Sequence, residues 1–483
     1  VTLLLEPDRH DESKFDLALS GGGVRSSFYS FGVVLYLLHS GLIRRVSTIS
    51  SVSGGSITNA VLASCDGDIS KESPDVLQRL IRRSASRLAR YGSFFGEALK
   101  QGIVIALVLQ VAVIGIYVML VKFTDFGPAY RLILTSFGGL ATGFLSSLVW
   151  LWLRRRERQL QVYDRFMSRV AHASQEKGLG TNRKQTAKTL AKSRMLTDLP
   201  KSQTNHIFCS TELISGTPFF MTREWAYSPA WGWASLKNVT VGQAIYASAA
   251  FPLVFPPLAI EIDPQEWSGG QLIDRPSKIY LADGGVYNNL GTDWRDAVRA
   301  TSAIFDGVDN RFPSLPPVTK RQIIVNASAP ARVVTFDGWW ITKGLQKFNR
   351  TVTIMYENTV RPRLQQMVSE RQWGSAMIID IADTPLSAAE SIVEITSCDE
   401  VKTRAAALVL ELKSRPYSYW AEYNKKAARV KTTLESVGVE QAAQLLRHGY
   451  LSATVVCHAH FGSQGLDSVP DDRWFYNFVR HAD

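Results

Sequence analysis

The run "STISSVSGGSI" at residues 47–57 sets a serine between a β-leaning apolar stretch and a glycine pair. Residues 46–52 read as a strand and 54–63 as a helix, so Ser53 falls at a strand-to-helix turn. A serine there projects beside the unpaired N–H groups of a helix N-terminus, which is what a nucleophilic hydroxyl needs. The common small-residue pattern for such a turn is G-x-S-x-G. Here Ser51 takes the first position, Gly54 follows the serine and Gly55 takes the last. Taken alone, the stretch is more often a Gly/Ser turn with no chemistry.

A nucleophile also needs a base and a place for developing negative charge. Upstream, residues 15–19 ("FDLAL") read as a strand, Ser20 and Gly21-Gly22-Gly23 follow, and Phe28, Phe31, Val34, Leu35 and Leu38 mark one face of a helix over 27–39. The N–H groups of such a loop lack helical partners, and glycines let a ligand come close to them. Gly21 to Val24, with the charge of Arg25, can therefore hold a phosphate or an oxyanion. A dinucleotide is disfavoured, because no acidic residue follows the next strand where a ribose contact is expected. Downstream, residues 279–282 read as a strand broken by Asp283-Gly284-Gly285. An aspartate freed at a strand end can reach a neighbouring turn and take the proton of Ser53; the same tripeptide also suits an Asx turn. His448, His458 and His460 follow Asp283 and could complete a Ser–Asp–His order, although His448 in "LLRHGY" reads as a helix C-terminal cap.

Together these pieces resemble a patatin-like phospholipase. Gly21-Gly22-Gly23-Val24-Arg25-Ser26 is similar to that family's oxyanion loop, and Ser51 to Gly55 to its nucleophile elbow. Residues 247–252 ("ASAAFP"), with Phe255-Pro256-Pro257, resemble the block before its aspartate, and Asp283-Gly284-Gly285 its aspartate motif. The resemblance implies a Ser53–Asp283 dyad without histidine, N–H donors at Gly22, Gly23 and Val24, and loop support from Arg25. Ser26 and Ser51 stand where the family carries glycine. The implied fold is a three-layer α/β/α domain around a mostly parallel sheet. The implied activity is lipid acyl hydrolysis through an acyl-serine, of the phospholipase A or lysophospholipase kind, with no cofactor.

Net charge and apolar patterning place that chemistry. The chain carries a net charge of +11, which suggests an anionic partner. Its four cysteines are scattered without CxxC spacing, which argues against disulfides or a structural zinc and for a reducing compartment. Cys457-His458-Ala459-His460 has no second ligand cluster, so no metal is expected. Residues 102–121 and 132–153 are uncharged runs, each long enough to span a bilayer as a helix, joined by a short link containing Gly127-Pro128. Arginines flank both runs, which predicts an integral membrane protein with two transmembrane helices. The catalytic domain and both termini would be cytoplasmic, at a bacterial inner membrane. The expected partners are a membrane phospholipid substrate, anionic headgroups at the basic flanks, and a second copy through Gly138-Gly139 and Gly143. No nucleic-acid motif accompanies the basic residues. A catalytically silent scaffold or pore, and an anion- or nucleotide-activated effector, are the competing readings.

The implied organisation is a split catalytic domain. Its first half covers 14–64, followed by a basic helical segment (65–100), the hairpin (101–153) and a basic linker (154–204). The second half covers 205–330, and 331–483 forms a mostly helical cover with a further strand at 376–381. Residues 321–326 read as another strand of the sheet, and Trp225, Trp231 and Trp233 as packing residues rather than a lipid-facing rim.

Overall fold

The computed structural model describes residues 14–65, 74–93, 154–175, 194–305 apart from 253, 316–328, 340–416 and 432–481, with isolated positions between 108 and 146 and between 419 and 430. Among the described residues, ten strands form one sheet: β1 (Phe15–Leu19), β2 (Val46–Ser51), β3 (Asn205–Glu212), β4 (Pro218–Met221), β5 (Trp225–Ser228), β6 (Gly232–Ser235), β7 (Leu258–Glu261), β8 (Lys278–Asp283), β9 (Arg321–Asn326) and β10 (Ala376–Asp380). Their order is β10-β9-β1-β2-β3-β4-β5-β6, with β8 also on β3 and β7 on β8.

The sheet is mixed rather than mostly parallel. β10, β9, β1, β2 and β3 run parallel. Every pairing that involves β4 to β8 is antiparallel. Connection length is the cause: β3 to β6 are joined by links too short for a parallel crossover, so they can only fold back as hairpins.

The principal helices are α1 (Gly23–His39), α2 (Gly54–Ala63), α3 (Pro74–Tyr91), α4 (Arg155–Gln175), α5 (Val241–Ala249), α6 (Trp294–Phe305), α7 (Trp340–Gln366), α8 (Pro385–Ile395), α9 (Asp399–Leu412), α10 (Gly438–Phe461) and α11 (Asp472–Arg480). Strand side chains alternate between two faces. Phe15, Leu17, Leu19, Ile323, Val325, Met377 and Ile379 share one cluster with α1, α3 and α10. Ala18 and Ile324 point the other way, onto Leu290 and Val360 of α7. Helices therefore cover both faces. α1 and α10 cross closely, since a Cβ on Gly32 would lie 2.0 Å from Leu446 O and one on Gly449 2.1 Å from Tyr29 O.

Among the described residues, no helix is long and apolar enough to cross a membrane. That finding overturns the two expected transmembrane helices and the integral-membrane placement built on them. The stretches 102–121 and 132–153 lie almost wholly outside the described residues. The helices described on either side are amphipathic, and their apolar stripes face this core. α3 buries Val76, Leu77, Leu80, Ile81 and Leu88, and α4 buries Tyr163, Phe166 and Met167. α4 also docks on the start of α5, where Thr240 Oγ1 donates to Asp164 Oδ1 (3.1 Å).

Candidate active site

The sheet register brings the serine turn and the aspartate turn together. Phe208 of β3 pairs with Ser51, the last residue of β2, and with β4. Two residues on, Ser210 pairs with Asp283, the last residue of β8, and again with β4. A strand has two edges, so β2 and β8 share the edge opposite β4. They run toward each other along it, and the chain leaving each strand meets the other.

Ser53 sits in this gap with φ 49° and ψ −118°. Among the described residues it is the sole non-glycine with positive φ. Such a conformation costs on the order of 1–3 kcal/mol and persists only where the surroundings enforce it. Here the enforcement comes from the end of α5. The Ser53 N–H donates to Ser248 O (3.1 Å) and Ser248 Oγ (3.0 Å). Ser248 Oγ donates in turn to Cys209 O on β3 (2.7 Å) and lies 2.8 Å from Ser56 Oγ. Ser56 reaches Ser51 Oγ (3.1 Å), which also accepts from Asn59 Nδ2 (2.9 Å) and donates to Ile207 O (3.2 Å). Ser51 is thus both small enough for the elbow and bonded into a buried polar network beneath it.

Asp283 is bracketed by the same segment. Its N–H donates to Ala250 O (3.0 Å), and the next N–H, of Gly284, donates to Ser248 O (3.2 Å). Thr211 Oγ1 donates to Asp283 O (2.9 Å). The carboxylate accepts from the Gly285 N–H (2.7 Å), and the Ser53 side chain lies near enough to favour its ionised form. Burial raises its pKa to about 7, partly offset by the Gly285 N–H and by the Ser53 side chain. A carboxyl tuned to that range can take a proton from a hydroxyl and return it within one turnover.

The glycine loop closes the third side. Gly22 and Gly23 have φ of 146° and 62°, open to glycine and costly for other residues. Gly54 permits the closest approach, because a Cβ there would stand 1.9 Å from Gly23 O. The N-termini of α1 and α2 therefore converge beside Ser53. Not every expected donor is available. The Val24 N–H donates to Thr433 O (2.8 Å) and the Gly21 N–H to Asn289 O (3.0 Å). The N–H groups of Gly22, Gly23 and Gly54 have no acceptor among the described residues. Arg25 is buried and braces the loop, donating to Ala327 O (2.8 Å) and Val430 O (3.1 Å). Ser26 lies within α1 and its hydroxyl donates to Ser20 O (2.5 Å).

The histidines stand elsewhere. His448 is buried against Tyr29, with Nε2 3.0 Å from Ile381 O. His458 Nδ1 lies 2.5 Å from Ser463 O, and His460 lines a small cavity with Arg371 and Asp383. Trp225, Trp231 and Trp233 are buried packing residues, with Trp231 Nε1 donating to Glu212 (3.0 Å). Sequence reasoning missed Ser248, Asn289 and Tyr356. Ser248 sits inside the "ASAAFP" block and Asn289 in "VYNNLG", so both were within reach. Tyr356, in "TIMYENT", carries no motif.

Comparisons with known proteins bear on this arrangement. No curated protein matches the chain. Among solved structures, the crystal structure of VipD from Legionella pneumophila aligns over 95% of this chain and 93% of that one, at 12% identity and a TM-score of 0.24. The family model for patatin-like phospholipase matches residues 17–294. That span exceeds half of the chain and holds the glycine loop, the Ser53 elbow and the Asp283 turn, so the chain belongs to the patatin-like phospholipase family, whose members are lipid acyl hydrolases.

Proposed function

We propose that the protein hydrolyses an acyl ester of a phospholipid or lysophospholipid, with Ser53 as nucleophile and Asp283 as its base. The observation that carries this reading is that Ser248 O accepts the N–H of both Ser53 (3.1 Å) and Gly284 (3.2 Å), which holds the serine turn against the turn of the buried Asp283, whose pKa is raised to about 7. Ser53 Oγ attacks the acyl carbon while its proton passes to Asp283. The carbonyl oxygen gains negative charge and turns toward the N–H groups of Gly22, Gly23 and Gly54, which have no acceptor among the described residues. Collapse breaks the ester C–O bond, and the departing alcohol oxygen takes the proton from Asp283. A water then repeats the sequence on the acyl-serine and releases the fatty acid.

The test is lipid mass spectrometry of phospholipid vesicles incubated with purified wild type, Ser53→Ala and Asp283→Asn. Free fatty acid should appear with wild type and fall by roughly 10³-fold or more in each variant. A fluorophosphonate probe should label wild type at Ser53. Absence of both labelling and hydrolysis would instead mark a silent scaffold, and full activity in Ser53→Ala would sink the assignment.

A further inference from the structure

Helix α7 begins well beyond the end of the matched family domain, yet it lies on the aspartate turn. A Cβ on Gly285 would come within 2.5 Å of Tyr356 Cε1. The Tyr356 ring packs on Phe251, 5.3 Å between centroids and 30° between planes. Nearly one turn on, Thr359 Oγ1 accepts the Asn289 N–H (3.3 Å), and Asn289 O holds the Gly21 N–H of the glycine loop. The helix thus fixes Tyr356 relative to both halves of the site.

The Tyr356 hydroxyl is buried and has no hydrogen-bond partner among the described residues. Tyrosines bury the ring readily but normally find a partner for the oxygen. Burial, and after it the charge of Asp283, push the phenol's pKa upward, so the group stays a neutral donor. A donor on a ring packed against the Asp283 turn, with no acceptor among the described residues, is one that a bound substrate can satisfy.

Resting on the Ser53–Asp283 reading, we propose that Tyr356 completes the active site by donating a hydrogen bond to the leaving-group oxygen of the bound ester. In that reaction Asp283 returns its proton to the departing oxygen as the ester C–O bond breaks. That oxygen must therefore sit on the Asp283 side, whereas the carbonyl oxygen faces the glycine loop. The edge of the Tyr356 ring packs on Gly285, two residues from Asp283, and on this proposal its hydroxyl takes the departing side. Its hydrogen bond spreads the charge that builds on the alkoxide; the phenol keeps its proton throughout.

The leaving group provides the test. p-Nitrophenyl butyrate expels a stabilised phenolate, and ethyl butyrate expels a poor alkoxide. Tyr356→Phe, which removes one oxygen and keeps the stack on Phe251, should lower kcat/KM for ethyl butyrate by about 10- to 100-fold and for the p-nitrophenyl ester by less than about 3-fold. Equal losses on the two esters would assign Tyr356 a packing role only and overturn the proposal, as would unchanged or increased rates on both. Ser53→Ala, run in parallel, separates the two readings. Full hydrolysis in Ser53→Ala defeats the dyad and this inference with it. A dead Ser53→Ala beside a wild-type-like Tyr356→Phe defeats the tyrosine alone.

Discussion

The backbone N–H of Ser53 is held by both oxygens of Ser248, the carbonyl at 3.1 Å and the hydroxyl at 3.0 Å. The same carbonyl takes the Gly284 N–H at 3.2 Å. One residue at the end of α5 therefore locks the strained serine turn to the aspartate turn. Ser248→Ala removes the hydroxyl acceptor and its bond to Cys209 O while leaving the carbonyl in place. We expect kcat to fall by roughly 10-fold with KM little changed, because misplacing a nucleophile slows the reacting step more than binding. Stability should drop by about 1–2 kcal/mol. Steady-state kinetics beside a urea melt would check both; an unchanged kcat would show that the carbonyl alone suffices.

Asp283 ties activity and stability to pH in opposite directions. As a base it must be ionised, so kcat/KM should rise as pH passes through about 7 and flatten above it. The unfolded carboxyl titrates near 4, below its folded value. Between those values the folded state binds more protons, so the stability contributed by this group is fully present below about pH 4 and is lost as pH rises to about 7. Asp283→Asn stays neutral and should be the more stable protein at pH 8, by at most on the order of 4 kcal/mol, with the difference fading toward pH 4. Thermal melts of both proteins across that range decide it. A variant less stable than wild type at pH 8 would mean that the charged carboxylate is better solvated than its burial implies.

Much of the site was legible because its chemistry is local. A strand followed at once by glycines, or by a serine and then glycines, states both the turn and the exposed group at the turn. That is why residues 15–19, the Ser53 elbow and the Asp283 turn were placed from sequence. What brings Ser53 to Asp283 is the register of two strands on a third, and nothing local encodes it. The same holds for the Val24 N–H, which is taken by Thr433 from a segment more than 400 residues away in the chain. Tyr356 was invisible for a related reason: an aromatic residue on a helix reads as core unless its hydroxyl is seen to lack a partner. The apolar runs at 102–121 and 132–153 carried the membrane reading, and no described helix supports it.

His448, His458 and His460 invite a triad that the packing does not build. Burial lowers the pKa of His448 to about 4, so the ring is neutral at ordinary pH, and its Nε2 faces Ile381 O. His448→Gln should therefore leave kcat/KM within about 3-fold of wild type while costing about 1–3 kcal/mol of stability through the disturbed buried contact. A loss beyond about 100-fold with the fold intact would restore histidine to the mechanism.

The crossing of α1 and α10 separates two ways in which glycine can be required. At Gly32 the backbone is ordinary helix, and the demand is space: a Cβ would meet Leu446 O at 2.0 Å. At Gly41 there is nothing within 4 Å, and the demand is conformational, with φ +75°. Gly41→Ala should thus cost only about 1 kcal/mol, the strain of a left-handed residue. Gly32→Ala must push two helices apart and should cost well above that, on the order of 3 kcal/mol or more. α1 also carries the glycine loop at its N-terminus, so the separation should reach the site. The prediction is reduced fluorophosphonate labelling of folded Gly32→Ala and unchanged labelling of Gly41→Ala. Equal denaturation midpoints for the two variants would mean that the helices part more freely than their contact suggests.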